Sequence, residues 1–260
     1  MMRPEQIRDA VRRQTPVVMC AGSVEFHGPQ EPIGTDYLIP AAVIERVEKK
    51  CECVVMPGLP FSPTKFWAAG PADGEFDFNG TILENYAYEI IRGLLAIGFR
   101  RIYVLQHHQG SGGLPYISLQ KGALRALYEI GSNHEHGWGR VDDYPIENMY
   151  GCIRMCDILS FSDPTRGREC PIGHGGKGET QLIWGHYPET IDLGRLKYFE
   201  EKGLPFPRWL EDAHLATFEE GDYWLDFCAE GFIKEFSKPY KTTMRPLKKE
   251  EKTWENLTEQ

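Results

Sequence analysis

Twice in this chain a short apolar run stops at a loop crowded with polar side chains and backbone breakers. Val17-Val18-Met19-Cys20-Ala21 runs into Gly22-Ser23-Val24-Glu25-Phe26-His27-Gly28-Pro29-Gln30-Glu31-Pro32-Ile33-Gly34-Thr35-Asp36. Arg101-Ile102-Tyr103-Val104-Leu105 runs into Gln106-His107-His108-Gln109-Gly110-Ser111-Gly112-Gly113. Short apolar runs bounded by Gly and Pro read as buried strands. Between them, Ala41 to Lys50 reads as a helix, and Cys53-Val54-Val55-Met56 as a second buried strand stopped by Pro57-Gly58. Thr81-Ile82-Leu83-Glu84 reads as a capping box opening a helix with the stripe Leu83, Tyr86, Ala87, Ile90, Leu94 and a stop at Gly98. Strand, loop and helix repeated in this order imply a parallel sheet with helices on its faces, and such sheets bind ligands beyond the carboxyl ends of their strands. Both polar loops begin at such an end, so they can meet although about eighty residues separate them.

The 260 residues suffice for one large α/β domain, expected over 1–240, with a charged, Pro-interrupted tail over 241–260 that reads as a surface arm or oligomer contact. Acidic residues outnumber basic ones, 38 to 29, and no basic stripe forms, which argues against a nucleic-acid partner. The start of the chain reads as a charged surface helix with Ile7 and Val11 on one face and no apolar leader after it. No run approaches membrane-spanning length, so a cytoplasmic protein is expected. The seven cysteines are odd in number, and Cys152 and Cys156 are spaced for one helix face rather than a zinc knuckle, so reduced thiols are expected. The polar stretch from Gly131 to Tyr144, with His134, His136 and Trp138, has no assigned role. Asp163 to Gly167 reads as a loop, and Gly173-His174-Gly175-Gly176-Lys177-Gly178 leads into a helix carrying Glu179, Leu182 and Ile183.

The chemistry concentrates in three places. Glu25 and His27 lie at i, i+2, so in an extended segment both side chains point the same way, and a Pro- and Gly-punctuated reversal can fold Asp36 back onto them. Carboxylate, imidazole and carboxylate form a ligand set for a borderline divalent ion such as zinc or manganese, and a carboxylate bridging two ions also fits. Alone, such a loop is as often solvated surface. The second loop shifts the balance, because His107-His108 at a strand end has no packing role and the glycines after it permit close approach to a ligand. His174 with Glu179 adds another base and another acid.

Four stretches resemble the creatininase (creatinine amidohydrolase) family in order and spacing. The first loop resembles the family's Gly-Ser-x-Glu-Gln-His-Gly-Pro-His-x-Pro-x-Gly-Thr-Asp run. Phe78-Asn79-Gly80-Thr81-Ile82 is similar to its Phe-Pro-Gly-Thr-Ile helix entry, and Gly98 to Gly110 to its Gly-Phe strand ending in Asn-Gly-His-Gly-Gly-Asn. His174-Gly175-Gly176-Lys177-Gly178-Glu179-Thr180, with Tyr187-Pro188-Glu189 downstream, is similar to its His-Ala-Gly-x-x-Glu-Thr helix start and following Pro-Glu.

The resemblance implies a three-layer α/β/α sandwich around a mainly parallel sheet. It implies metal ligation by Glu25, His27, Asp36 and His108, with Asp36 bridging two ions, and places Glu179 at the metal centre as ligand or close neighbour. His174 matches the proposed proton-transfer histidine, so His174 and Glu179 are the expected catalytic residues, while His107 stands at a glycine position outside the ligand shell. One or two divalent ions per subunit are implied, zinc first, with manganese or iron as substitutes. A small-molecule substrate and a homo-oligomer, a hexamer by family habit, are implied too.

The chain also departs from the pattern. Phe26 replaces Gln, Gln30 often His, Glu31 an apolar residue, and Gln106 Asn; Gln109 and Gly110 stand where creatininases proper carry a Tyr-Glu pair whose Glu binds metal. One ion site is therefore expected to be weaker or lost, creatinine itself is disfavoured, and Gln30, Glu31 and Gln109 are the expected substrate-contacting residues. Phe61, Phe66, Trp67 and Trp138 are candidate pocket walls. The expected reaction is hydrolysis of a cyclic amide in a small polar molecule. The alternatives are a formamide, ring opening of an inosose-type ketone, a non-catalytic ligand-binding member, or, last, a structural protein with a solvated acidic loop.

Overall fold

In the computed structural model, which describes residues 2–133, 151–158, 162–163, 168–169 and 173–239, the chain alternates helix and strand from its start. Helix α1 (Pro4–Arg12) leads to β1 (Val17–Ala21), α2 (Thr35–Glu48), β2 (Val54–Val55), α3 (Gly80–Ile97), β3 (Ile102–Gln106), α4 (Leu114–Asn133) and β4 (Ile153–Asp157). Strands β5 (Ser162–Asp163) and β6 (Arg168–Glu169) form a small antiparallel pair. Helices α5 (Lys177–Trp184) and α6 (Phe218–Phe236) complete the α/β fold.

The main sheet has the order β2-β1-β3-β4 with every pairing parallel. Alternate residues serve opposite faces, as the strand period demands. Val17, Met19, Ile102 and Val104 pack with α3 and α4 through Leu83, Ala87, Ile91, Leu119 and Leu127. Val18, Cys20, Tyr103 and Leu105 pack with α2, α5 and α6 through Ile39, Val43, Leu182, Trp224 and Phe232. Burial of each such side chain contributes about 1.5–3 kcal/mol, and a one-residue slip would exchange the two faces, so the register is firmly set.

Several local expectations are corrected. Helix α2 starts at Thr35, capped by Gly34, rather than at Ala41, and so takes in Asp36, with Pro40 inside it; it ends at Glu48. The second strand is only two residues long, and Val55 is 44% exposed because β2 is the edge of the sheet. The cap of α3 is Asn79, whose Oδ1 accepts from the amides of Thr81 and Ile82 at 2.8 and 3.3 Å, rather than Thr81. Gly98 ends that helix as expected, with φ 118°. Tyr86 faces solvent, and Ile91 and Leu95 take the buried places beside Leu83, Ala87 and Leu94. Cys152 and Cys156 are not on a helix: Cys156 lies in β4 and Cys152 just before it, on opposite sides of the sheet. The six described cysteines are free thiols. His134, His136, Trp138, Cys170 and the tail from 240 lie outside the described residues. Among those described, no helix is long and apolar enough to cross a membrane.

Candidate metal centre

The chain places β2 on one side of β1 and β3 on the other, so the connections leaving β1 and β3 part in opposite directions and open a crevice at their carboxyl ends. The loop after β1 brings Glu25 and His27 there, and the loop after β3 brings His107 and His108. The first turn of α2 supplies Asp36, the first turn of α5 supplies Glu179, and the segment before α5 supplies His174. Close backbone approach makes this convergence possible. A Cβ at Gly22 would sit 2.3 Å from the Asp36 carbonyl, and one at Gly175, where φ is 61°, would sit 2.3 Å from the His27 carbonyl. Any larger residue at either position would push a charged side chain out of the site.

Asp36 is at the centre. Its Oδ1 lies 3.2 Å from His27 Nε2, and its Oδ2 lies 2.8 Å from His108 Nδ1 and accepts from the Ser23 hydroxyl. Glu25 Oε2 is 3.2 Å from His108 Nδ1 and 3.8 Å from His174 Nδ1. Glu179 Oε2 is 3.4 Å from His27 Nε2 and accepts from the Gly175 amide at 2.7 Å, while its Oε1 is 2.9 Å from His107 Nε2. Glu25, Asp36 and His108 form one group of donor atoms mutually close enough to hold an ion. His27, Asp36 and Glu179 form a second, and Glu25, His27 and His174 a third. Glu25, His27, Asp36, His108 and Glu179 are all buried, and His174 is partly exposed.

The donor set fits a divalent cation for a reason independent of count. Each of three imidazoles places one nitrogen against a backbone carbonyl: His27 Nδ1 on Glu25 at 3.0 Å, His108 Nε2 on Pro63 at 3.0 Å, and His174 Nε2 on Phe26 at 2.8 Å. Those nitrogens must carry the proton and donate, because a carbonyl only accepts. In the neutral ring the opposite nitrogen then presents a lone pair to the carboxylates. A buried lone pair facing a carboxylate is repulsive unless a cation lies between them, and carbonyl-oriented imidazoles are how metal-binding histidines are held. His27 Nε2 is buried without a hydrogen-bond partner, as such a ligand atom would be.

In the chain alone, protons take the cation's part. Burial opposes charge on His27, but Asp36 and Glu179 outweigh it and hold the imidazole well above its ordinary range. Burial likewise opposes charge on His108, and Asp36 with Glu25 raises it to about 10. Burial works to raise Asp36 and Glu179, but the histidines hold both below the usual carboxylate range, Asp36 far below it. For His174 burial, aided by His27, lowers the pKa, leaving a neutral base near pH 7.

Groups raised on folding stabilise fully below their unfolded pKa and lose that contribution as pH rises through the folded value; lowered carboxylates lose theirs as pH falls. Chelator-stripped protein is therefore expected to be most stable between the carboxylate range and about pH 6.5. Its thermal midpoint should fall on the order of 5 °C toward pH 10, while ion-loaded protein should stay level. Calorimetry across this range tests it, and parallel curves for the two forms would refute it.

Comparison with known proteins agrees with this geometry. The family model described as creatinine amidohydrolase, Creatininase, matches residues 1–236. The chain belongs to the creatininase family. It is 24% identical over 245 residues to creatinine amidohydrolase from Pseudomonas putida, covering 87% of this chain and 90% of that one. A solved manganese creatininase superposes with a TM-score of 0.70 at 22% identity, covering 92% and 97% of the two chains. A zinc–zinc form of a mutant creatininase gives 0.70 at 23%, again over 92% and 97%.

As a creatininase-family chain, the protein has Gly110 where an acid was expected on the β3 loop, yet Glu179 brings a carboxylate to His27 and Asp36 from α5. The acids and histidines border a cavity of about 400 Å³ lined by Glu25, Asp36, His108, His174 and Glu179, with Gln109, Trp67 and Trp209 among its walls. Of the expected substrate contacts, only Gln109 lines it. Gln30 and Glu31 are buried and bonded inward, because the loop turns their side chains toward Gly175 and Thr180. Among the aromatics, Trp67 is a wall, whereas Phe61 and Phe66 do not line the cavity. Lys65 and Phe66 precede Trp67 at φ 61° and 53°, with Asp77 accepting from the amides of Thr64 and Lys65, and Gln109 has φ 56°. Such strain gathers where a side chain must be aimed.

His107, placed outside the ligand shell by the sequence, belongs to none of the donor groups but braces Glu179. One participant went unread in the sequence. Trp209, 4.8 Å from the His174 ring, lies in a segment with no motif.

Proposed function

We propose that this protein is a metal-dependent hydrolase that cleaves the C–N bond of an amide, cyclic by preference, in a small polar substrate. The observation that carries the reading is Asp36, which is common to two donor groups beside one cavity and turns its two oxygens to different histidines, His27 and His108. Glu25, Asp36 and His108 would hold one divalent ion, and Glu179, Asp36 and His27 a second. Zinc and manganese suit this mixture of carboxylate and imidazole. Bound there, such ions supply an electrophile for a carbonyl and lower the pKa of water toward about 7.

The chain's own groups do the rest. His174, neutral near pH 7 and fixed by the Phe26 carbonyl, keeps Nδ1 free toward Glu25, where it takes a proton from the attacking water and delivers it to the leaving nitrogen. The Gln109 amide can donate to or accept from a polar substrate edge. Trp67 and Trp209 offer flat walls to a ring and restrict water. No Lys or Arg lines the cavity among the described residues, so the bound ions would supply its positive charge. This unit spans 1–240 as a single domain, and the protein assembles as a homo-oligomer.

Elemental analysis of the purified protein is expected to find zinc or manganese. A screen of cyclic amides, formamides and inosose-type ketones against the ion-loaded protein should find turnover among the amides. Absence of ion uptake, or turnover confined to the ketones, would reject the reading.

A further inference from the structure

Gln30 and Glu31 line no part of the cavity and belong to none of the three donor groups, yet both are buried polar residues inside the loop that carries Glu25 and His27. We propose that they are positioning residues: a buried hydrogen-bonded clasp that holds the first turn of α2, bearing Asp36, against the first turn of α5, bearing Glu179. The clasp thereby sets the carboxylate spacing on which cation binding depends. This assignment rests on the hydrolase reading above and names what keeps its centre in shape.

The bonds define the clasp. Glu31 Oε1 accepts from the Thr180 hydroxyl at 2.6 Å and from Gln30 Nε2 at 3.0 Å. Glu31 Oε2 lies 3.1 Å from the Thr35 hydroxyl, which is also 2.8 Å from the Pro32 carbonyl. Gln30 Nε2 donates to the Gly175 carbonyl at 2.8 Å, and the Gln30 carbonyl accepts from the Asp192 amide at 3.0 Å. Thr35 immediately precedes Asp36, and Thr180 immediately follows Glu179. One carboxyl group thus joins the neighbours of two acids that arrive from helices about 140 residues apart in the chain. The two helices also share an apolar core through Ile39, Val43, Leu182 and Ile183, but beside the acids themselves this carboxyl is the group that bonds both Thr35 and Thr180.

The role is geometric, so it does not require a charge at position 31. A glutamine there reproduces each link. Its carbonyl oxygen accepts from Thr180 and Gln30, and its amide donates to Thr35, whose hydroxyl then donates to Pro32. Leucine has nearly the same volume and reproduces none.

The full-length chain, stripped with a chelator and titrated with Mn²⁺ by calorimetry, provides the test. Glu31→Gln is expected to bind within about threefold of the parent, and Glu31→Leu to bind roughly 10- to 100-fold more weakly, the usual cost of losing an outer partner of a metal ligand. Thr180→Val removes a single link and should weaken binding by at least about threefold, which keeps the test decisive if Glu31→Leu does not fold. Parent-like binding by both Glu31→Leu and Thr180→Val would overturn the clasp while leaving the hydrolase reading intact. Equal losses in Glu31→Gln and Glu31→Leu would overturn it in favour of a charge requirement. A parent chain that takes up no Mn²⁺ would remove both readings together.

Discussion

Asp36→Asn is expected to leave the protein with neither ion bound and with turnover reduced by about a thousandfold or more. The carboxylate oxygens face different histidines, 3.2 Å from His27 and 2.8 Å from His108, and Asp36 is common to two donor groups. An asparagine keeps one acceptor and converts the other into a donor with no lone pair for a cation, so it cannot serve both. Removing one member of a buried charged cluster costs about 3–5 kcal/mol, because the remaining charges stay buried without compensation; this corresponds to a factor of roughly 10² to 5 × 10³. The pKa values of His27 and His108 should also fall, since Asp36 is the carboxylate that raises each most strongly against burial. Elemental analysis and an NMR titration of the imidazoles measure both effects. Full occupancy in the variant would refute the central place given to Asp36.

His174→Asn should spare the metal while lowering turnover by about 10²- to 10⁴-fold, the range for a lost general acid or base. His174 is the most exposed of the histidines around the cavity, and its Nδ1 lies 3.8 Å from Glu25, farther than His27 Nε2 or His108 Nδ1 lies from Asp36. Its ring packs 4.2 Å from His27 and 4.8 Å from Trp209, which restrains it without consuming Nδ1. The same atom completes a third donor group with Glu25 and His27, so the geometry also describes a ligand. Metal content separates the roles: a variant that loses an ion makes His174 a ligand, and one that keeps both but loses the low-pH limb of its rate profile makes it the proton carrier. Turnover unchanged in His174→Asn would dismiss both.

The cavity walls bear on substrate choice. Two tryptophans from unrelated segments, one following two strained residues and the other in the stretch before α6, face a floor of acids and histidines. The Gln109 amide, itself in the left-handed region, is the uncharged polar side chain on that wall among the described residues. In the proposed reading, the flat tryptophan walls and the Gln109 amide suit a planar polar ring such as a cyclic amide.

Sequence alone determined the chemistry and its approximate address. Apolar runs at 17–21 and 101–105 forced buried strands, and the polar loops after them had to emerge at the carboxyl end of a parallel sheet. Glu25, His27, Asp36 and His108 are therefore neighbours for a reason visible in one dimension. Gly98 likewise ends α3 because only its left-handed conformation closes the helix there.

Tertiary structure decided the rest, because the direction of a loop side chain depends on partners distant in the chain. Gln30 and Glu31, expected to touch substrate because they depart from the family motif, turn inward because Gly175 and Thr180 lie on their other side. Glu179 reaches His27 only because α5 packs against the same sheet face as α2. Asp36 lies in a helical first turn because α2 begins at Thr35, after Gly34, and not at Ala41 as local pattern suggests. Val55 is exposed because strand order, which local pattern does not encode, left β2 at the edge. Periodicity sets which residues can be buried, but only the packed sheet and helices set what each buried polar atom meets.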